Sequence, residues 1–144
     1  MALKIPKPIY AQIGAHLEAA FPNEGGGLLL GDANGRHRNV RMILKLENRF
    51  TSEEQHDHYL HSAKDILAGE DAAEKHALDV IGVFHSHPDH PAQPSDLDLE
   101  LALPWWSYLI VSVHANGTGT ARSWLLSDDR TQFNEERVTI QAGH

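Results

Sequence analysis

The chain contains no cysteine. That excludes a disulfide framework, any thiolate metal site and a cysteine nucleophile. A transition-metal site would have to be built from imidazoles and carboxylates. Basic residues are also scarce: 12 Lys and Arg stand against 20 Asp and Glu, a net charge of −8. A general nucleic-acid binder needs a basic footprint, and this chain lacks one. No apolar run approaches the ~20 residues that span a bilayer. Met1 to Tyr10 carries two Lys and two Pro without an apolar core, which is not a secretory leader. These absences lead to the expectation of a cytoplasmic protein with no membrane or nucleic-acid partner.

What is present is ordinary in bulk and unusual in one residue type. The 144 residues are 41% hydrophobic and 22% charged, which suits a single globular domain over 1–144. The 11 histidines are an ample supply of metal ligands.

Periodicity predicts the elements. Ile9, Ile13 and Leu17 form a helical stripe over residues 8–20, ended by Pro22-Asn23. Leu28–Leu30 reads as a short buried strand, and Gly35 as a turn. Val40, Met42, Leu44 and Leu46 alternate along a second strand, 37–46. A polar loop follows from Glu47. Ser62-Ala63-Lys64-Asp65 is a capping box that opens a helix running to about His76. Val80–Phe84 is a β-branched, apolar central strand. Pro88–Pro94 holds three prolines and reads as a loop. Ser95 opens a third helix with Leu97, Leu99 and Leu101 facing inward, stopped by Pro104. Further strands are expected at 107–114, 119–126 and 135–140, with a hairpin turn at Asn116-Gly117. The order α, β, β, α, β, α, β, β, β implies an α/β domain with one central mixed sheet flanked by helices.

Candidate chemistry sits at His85-Ser86-His87-Pro88. Side chains at i and i+2 of a strand share a face, about 7 Å apart at the backbone, so two imidazoles can meet at one ion. Pro88 would end the strand and leave the pair at a sheet edge open to solvent. Asp98, one turn into the next helix, is a plausible third ligand, and three protein ligands are the pattern of a catalytic zinc. The bland readings also stand. A lone His-x-His is more often polar surface, and Ser95 with Asp98 is explained by capping alone. His90 rivals Asp98 as third ligand. His56, His58 and His61 also have ligand-like spacing in what reads as a solvated loop. Glu24 precedes Gly25-Gly26-Gly27, a run permitting close backbone approach; a carboxylate there could deprotonate a water.

Together these residues resemble the JAMM (MPN+) motif, an upstream Glu followed by H-[ST]-H-P-x6-S-x2-D. Glu24, His85-Ser86-His87-Pro88, Ser95 and Asp98 match it at every position. The resemblance runs from about Ile9 to Leu126 and is similar to the bacterial stand-alone, Mec-like branch. It implies a deaminase-like α/β sandwich and a zinc metallopeptidase. His85, His87 and Asp98 would hold Zn2+, Glu24 would be the base, and Ser95 would stabilise the oxyanion. Many bacterial members carry Cys two residues after the base, where Gly26 stands here. The implied substrate is a ubiquitin-like or sulfur-carrier protein cut after its C-terminal Gly-Gly; independently of the resemblance, a thin tail could add to a free strand edge beside the site. The alternative is an inactive MPN-type scaffold, though such members usually lack the ligand set. Nucleoside deaminases need Pro-Cys-x-x-Cys and zincins need His-Glu-x-x-His; neither motif is present.

Overall fold

The computed structural model describes residues 2–34, 37–48 and 62–142. The elements are β1 (Ala2–Pro6), α1 (Lys7–Ala20), β2 (Gly26–Asn34), β3 (His37–Leu46), α2 (Ala63–Lys75), β4 (Asp79–Pro88), α3 (Asp96–Leu101), β5 (Ser107–His114), β6 (Gly117–Leu126) and β7 (Phe133–Gln141). The strands follow one another in the order β1-β3-β2-β4-β5-β6-β7 and close into a barrel. Pairing is parallel for β4 with β5 and for β1 with β3 and β7; the remaining pairs are antiparallel. The fold is therefore mixed α/β with few helices.

Closure corrects one expectation. β1 was not anticipated, and it bridges β3 and β7, so every described strand has a neighbour on both sides. Among the described residues the pairing is not continuous along every strand: β3 meets β1 only over His37–Asn39, so Val40–Leu46, which reaches Gly26 beside Glu24, pairs with β2 alone.

Each sheet face has its own core. Leu29, Phe84, Leu109 and Val111 point to one face and pack with Leu3, Ile5 and the α1 residues Ile13 and Leu17. Leu28, Leu30, Val83 and Tyr108 point to the other and pack with Ala73 of α2 and Trp106. The alternation Leu28-Leu29-Leu30 thus feeds both cores, as a strand buried on both faces should. Phe84 is fully buried; its truncation to Ala would cost about 3–5 kcal/mol.

Two elements differ from their sequence patterns in ways that bear on the site. β4 continues to Pro88, so Pro88 is part of the strand and His85 and His87 occupy the last rungs of its ladder, at its C-terminal end. The strand is central through His85, paired with β2 and β5, while His87 and Pro88 pair with β5 alone. Pro88 is tolerated because the next donor, Asp89 N–H, supplies the bond to Val113 O at 2.8 Å. α3 spans six residues and buries none of them; Leu101 is 47% exposed, so only part of its expected apolar face turns inward.

Candidate metal centre

Alternation along β4 sorts the His-Ser-His segment. Phe84 and Ser86 turn towards the α1 core; Val83, His85 and His87 turn to the other face. There, His85 and His87 are buried, with ring centroids 5.1 Å apart. Their Nε2 atoms are separated by 3.2 Å. Asp98 completes the group: Oδ1 lies 3.1 Å from His85 Nε2, and Oδ2 lies 3.1 Å from His87 Nε2. A tetrahedral ion bonded at about 2.0–2.1 Å would separate its ligand atoms by roughly 3.3–3.4 Å. The three donors thus already stand close to three corners of such a polyhedron.

The electrostatics favour positive charge at this point. Burial alone would lower the pKa of His85, but the Asp98 carboxylate and then Glu24 outweigh it and raise the pKa above the usual histidine value. Burial would likewise raise that of Asp98; contacts with His85 and His87 and the Ser95 amide instead hold it far below the usual carboxylate range. A largely buried cluster of two imidazoles and a carboxylate fits a divalent transition metal.

The tautomer of His87 is fixed from outside. Its Nδ1 lies 3.1 Å from Pro91 O. A carbonyl only accepts, so Nδ1 carries the hydrogen and Nε2 faces the cluster, the arrangement ligating histidines adopt.

Asp98 is aimed by a capping box. Ser95 N–H donates to Asp98 Oδ2 at 2.8 Å, and Asp98 N–H donates to Ser95 Oγ at 3.1 Å. The same geometry that starts α3 swings the carboxylate over β4. Ser95 Oγ accepts in that pair, which leaves its own hydrogen available for donation.

Glu24 is buried, and its carboxylate comes within 4.8 Å of both imidazoles. Its backbone is pinned on three sides. Gly25 N–H donates to Ser86 Oγ at 2.9 Å, Ser86 N–H donates to Gly25 O at 3.0 Å, and Asn48 Nδ2 donates to Glu24 O at 3.0 Å. Gly25 has to be glycine for this approach: a Cβ there would stand 2.8 Å from Ala20 Cβ. A cleft of about 330 Å³ opens beside the cluster, lined by Glu24, His87, His90, Pro91, Gln93, Pro94 and Ser95.

The structure thus brings Glu24, His85, His87, Ser95 and Asp98 together. His90 stands on the exposed cleft rim, outside the converging donors. His56, His58 and His61 lie outside the described residues. Sequence reasoning passed over two supports, the Ser86 clasp and the Asn48 amide. Ser86 lay within a noted motif; Asn48 had no local signal.

A mixed α/β fold with this convergence at the end of β4 defines a JAB/MPN-type domain. A JAB1/MPN domain protein of Archaeoglobus fulgidus has the same fold, with a TM-score of 0.55 and 19% identity over 94% of this chain and 98% of that one. The profile of prokaryotic homologs of the JAB domain matches residues 6–127, and the chain belongs to that family. It is similar to a probable TtuB-protein conjugate cleaving protease of Thermus thermophilus, 30% identical over 89% of this chain and 78% of the relative. It is also similar to a desampylase of Pyrococcus furiosus, 26% identical over 74% and 71%. A solution structure from Desulfitobacterium hafniense matches with a TM-score of 0.85 and 30% identity, covering 97% of this chain and 93% of that one.

Proposed function

We propose that the protein is a zinc-dependent isopeptidase that hydrolyses the bond after the C-terminal Gly-Gly of a ubiquitin-like or sulfur-carrier protein. The observation that carries this reading is the convergence of His85, His87 and Asp98 beside Glu24, with Ser95 on the wall of the same cleft. The relatives' names, which concern cleavage of protein conjugates, supply the substrate class.

A zinc ion held by the three donors would supply Lewis acidity, polarising a carbonyl and acidifying water. The protein's own residues divide the remaining work. Glu24 takes a proton from the attacking water and returns it to the leaving nitrogen. Ser95 turns its free hydroxyl hydrogen towards the carbonyl oxygen, where negative charge grows as the carbon becomes tetrahedral. Burial of His85, His87 and Glu24 excludes bulk water and strengthens each of these interactions. The scaffold alternative is disfavoured by the same set: a domain used only for docking has no need of a desolvated two-histidine, two-carboxylate cluster.

A Gly-Gly tail suits a narrow cleft because it brings no side chains to the reacting bond. The tail could pair with the open side of β3 near Leu46, and the folded carrier would supply much of the remaining binding energy, which then serves to position the carbonyl. Mass spectrometry of a carrier bearing residues beyond Gly-Gly, incubated with the zinc-loaded protein, should show their release. The free tail peptide should be a poor substrate, and Gly-Gly→Ala-Ala in the carrier should slow cleavage strongly. Equal rates on carrier and peptide would indicate a general peptidase and remove the carrier from this reading.

A further inference from the structure

The tautomer of His87 depends on where Pro91 O points, and so on the turn that follows Pro88. That turn holds an unusual conformation, with Asp89 at φ 58°, in the left-handed region where Asp is among the tolerated residues. Something has to hold it. One anchor is the bond from Asp89 N–H to Val113 O. Another is the Trp124 indole, whose Nε1–H donates to Ala92 O at 3.1 Å. The third is a side-chain chain that starts on β5. Ser112, buried and in register with His87, donates its hydroxyl to His90 O at 2.7 Å. Ser112 Oγ also lies 3.0 Å from His114 Nε2, and His114 Nδ1 lies 3.1 Å from Asp89 Oδ1. The chain therefore leaves β5, ties both Asp89 and His90, and closes around the turn. The pairing of β5 with β6 shifts register at Ser112; such irregularities recur next to active sites, where they re-aim a side chain.

We infer that Ser112, oriented by His114 and Asp89, is the positioning residue that holds Pro91 O against His87 Nδ1 and so presents His87 Nε2 to the metal. The inference rests on the reading of His87 as a ligand. Ser112 touches neither ion nor substrate. Its hydroxyl cannot serve as a nucleophile while its hydrogen is given to His90 O, so the Ser-His-Asp order is a brace and not a second catalytic centre.

The test uses the full chain. Ser112→Ala should weaken zinc binding by about 10–100-fold, the usual cost of losing an outer-sphere partner, as read by chelator competition. In the zinc-free protein, imidazole 15N NMR should find a hydrogen fixed on His87 Nδ1 in the parent, whatever Nε2 carries beside Asp98, and only a partial Nδ1–H population in Ser112→Ala. His114→Ala, at a half-exposed site with little folding risk, should move both readouts the same way by a smaller amount. His90→Ala should leave zinc affinity unchanged, because His90 contributes its carbonyl. Zinc affinity within about twofold of the parent for both Ser112→Ala and His114→Ala, with an intact Nδ1–H signal, would overturn the brace. So would a loss in His90→Ala as large as that in Ser112→Ala. If the parent itself takes up no zinc, the proposed function fails, while the NMR comparison still decides the brace.

Discussion

Two helices of this molecule begin with the same device and use it differently. At α2, Ser62 N–H donates to Asp65 Oδ2 at 2.7 Å, and Asp65 N–H donates to Ser62 Oγ at 3.2 Å. At α3, Ser95 and Asp98 repeat the pattern at 2.8 and 3.1 Å. The first box starts a 13-residue helix that buries Asp65, Gly69 and Ala73. The second starts a six-residue helix that buries nothing. A capping box on a short, exposed helix contributes little to the fold, yet it fixes a carboxylate over the N-terminus with high angular definition. At α3 that carboxylate faces two imidazoles. On the proposed function, the comparison teaches that a local stabilising motif can serve as a ligand holder when the strand beneath it supplies the other donors.

The sharpest way to break the comparison is to remove each carboxylate. Asp98→Ala should lose stoichiometric zinc and all hydrolysis, whereas Asp65→Ala should keep both; elemental analysis of the two purified proteins decides. Equal zinc content would mean that α3 is only a helix and that the ligand set is wrong. A step down in effect, Glu24→Gln should keep zinc and fold while turnover falls by about 10²–10⁴-fold, the range for loss of a general base. Near-normal turnover in the zinc-loaded variant would take Glu24 out of the chemistry.

Ser95→Ala and Ser62→Ala then separate the two boxes by readout. Ser95→Ala should lower turnover by about 10²–10³-fold with little change in Tm. Ser62→Ala should leave turnover unchanged and cost about 1 kcal/mol of stability. Exchanged outcomes would show that Ser95 acts as a cap alone.

The smallest effect is in pH. In the zinc-free protein His85 is held above its ordinary value, so its contribution to stability is complete at low pH and lost as pH rises through the raised value. Asp98 is held below its ordinary value, so its contribution is present above the ordinary carboxylate range and fades only in strong acid. The competitor of the metal is thus the imidazole proton and not the carboxylic acid. The rise in Tm caused by zinc should be larger near about pH 8 than near about pH 5.5, because ligation needs the imidazoles deprotonated. A zinc-induced shift independent of pH would contradict His85 as a ligand.

Much of this was legible in the sequence, for physical reasons that can be named. α1, β3 and the α2 capping box announce themselves through local periodicity and end signals. The His85-x-His87 spacing puts two imidazoles on one strand face and the Ser95–Asp98 spacing marks a helix start, but their convergence across the loop between Pro88 and Ser95 came only from the resemblance to the JAMM motif, with His90 left as a rival. β1 was not legible: its three buried residues, Ala2, Leu3 and Ile5, are too few for a pattern, and its partners are distant in the chain. The run of β4 to Pro88 was missed because proline normally ends a ladder, and only the parallel neighbour β5 sustains it here. The hold on His87 could not be read at all. It depends on the direction of a backbone carbonyl, set by a left-handed turn at Asp89 that no side-chain pattern encodes.

β1 also bears on how the molecule is made. Ala2 lies opposite both His37 and Arg137, so β1 has one partner near in sequence and one far along the chain. Its second seam is the contact of longest sequence separation in the barrel, and such contacts demand the greatest loop-closure entropy and form late. The strands and helix that carry His85, His87 and Asp98 lie between these two ends and depend on neither seam directly. Assembly can therefore bring the metal donors together while the barrel is still open, with closure by β1 and β7 as the final locking step.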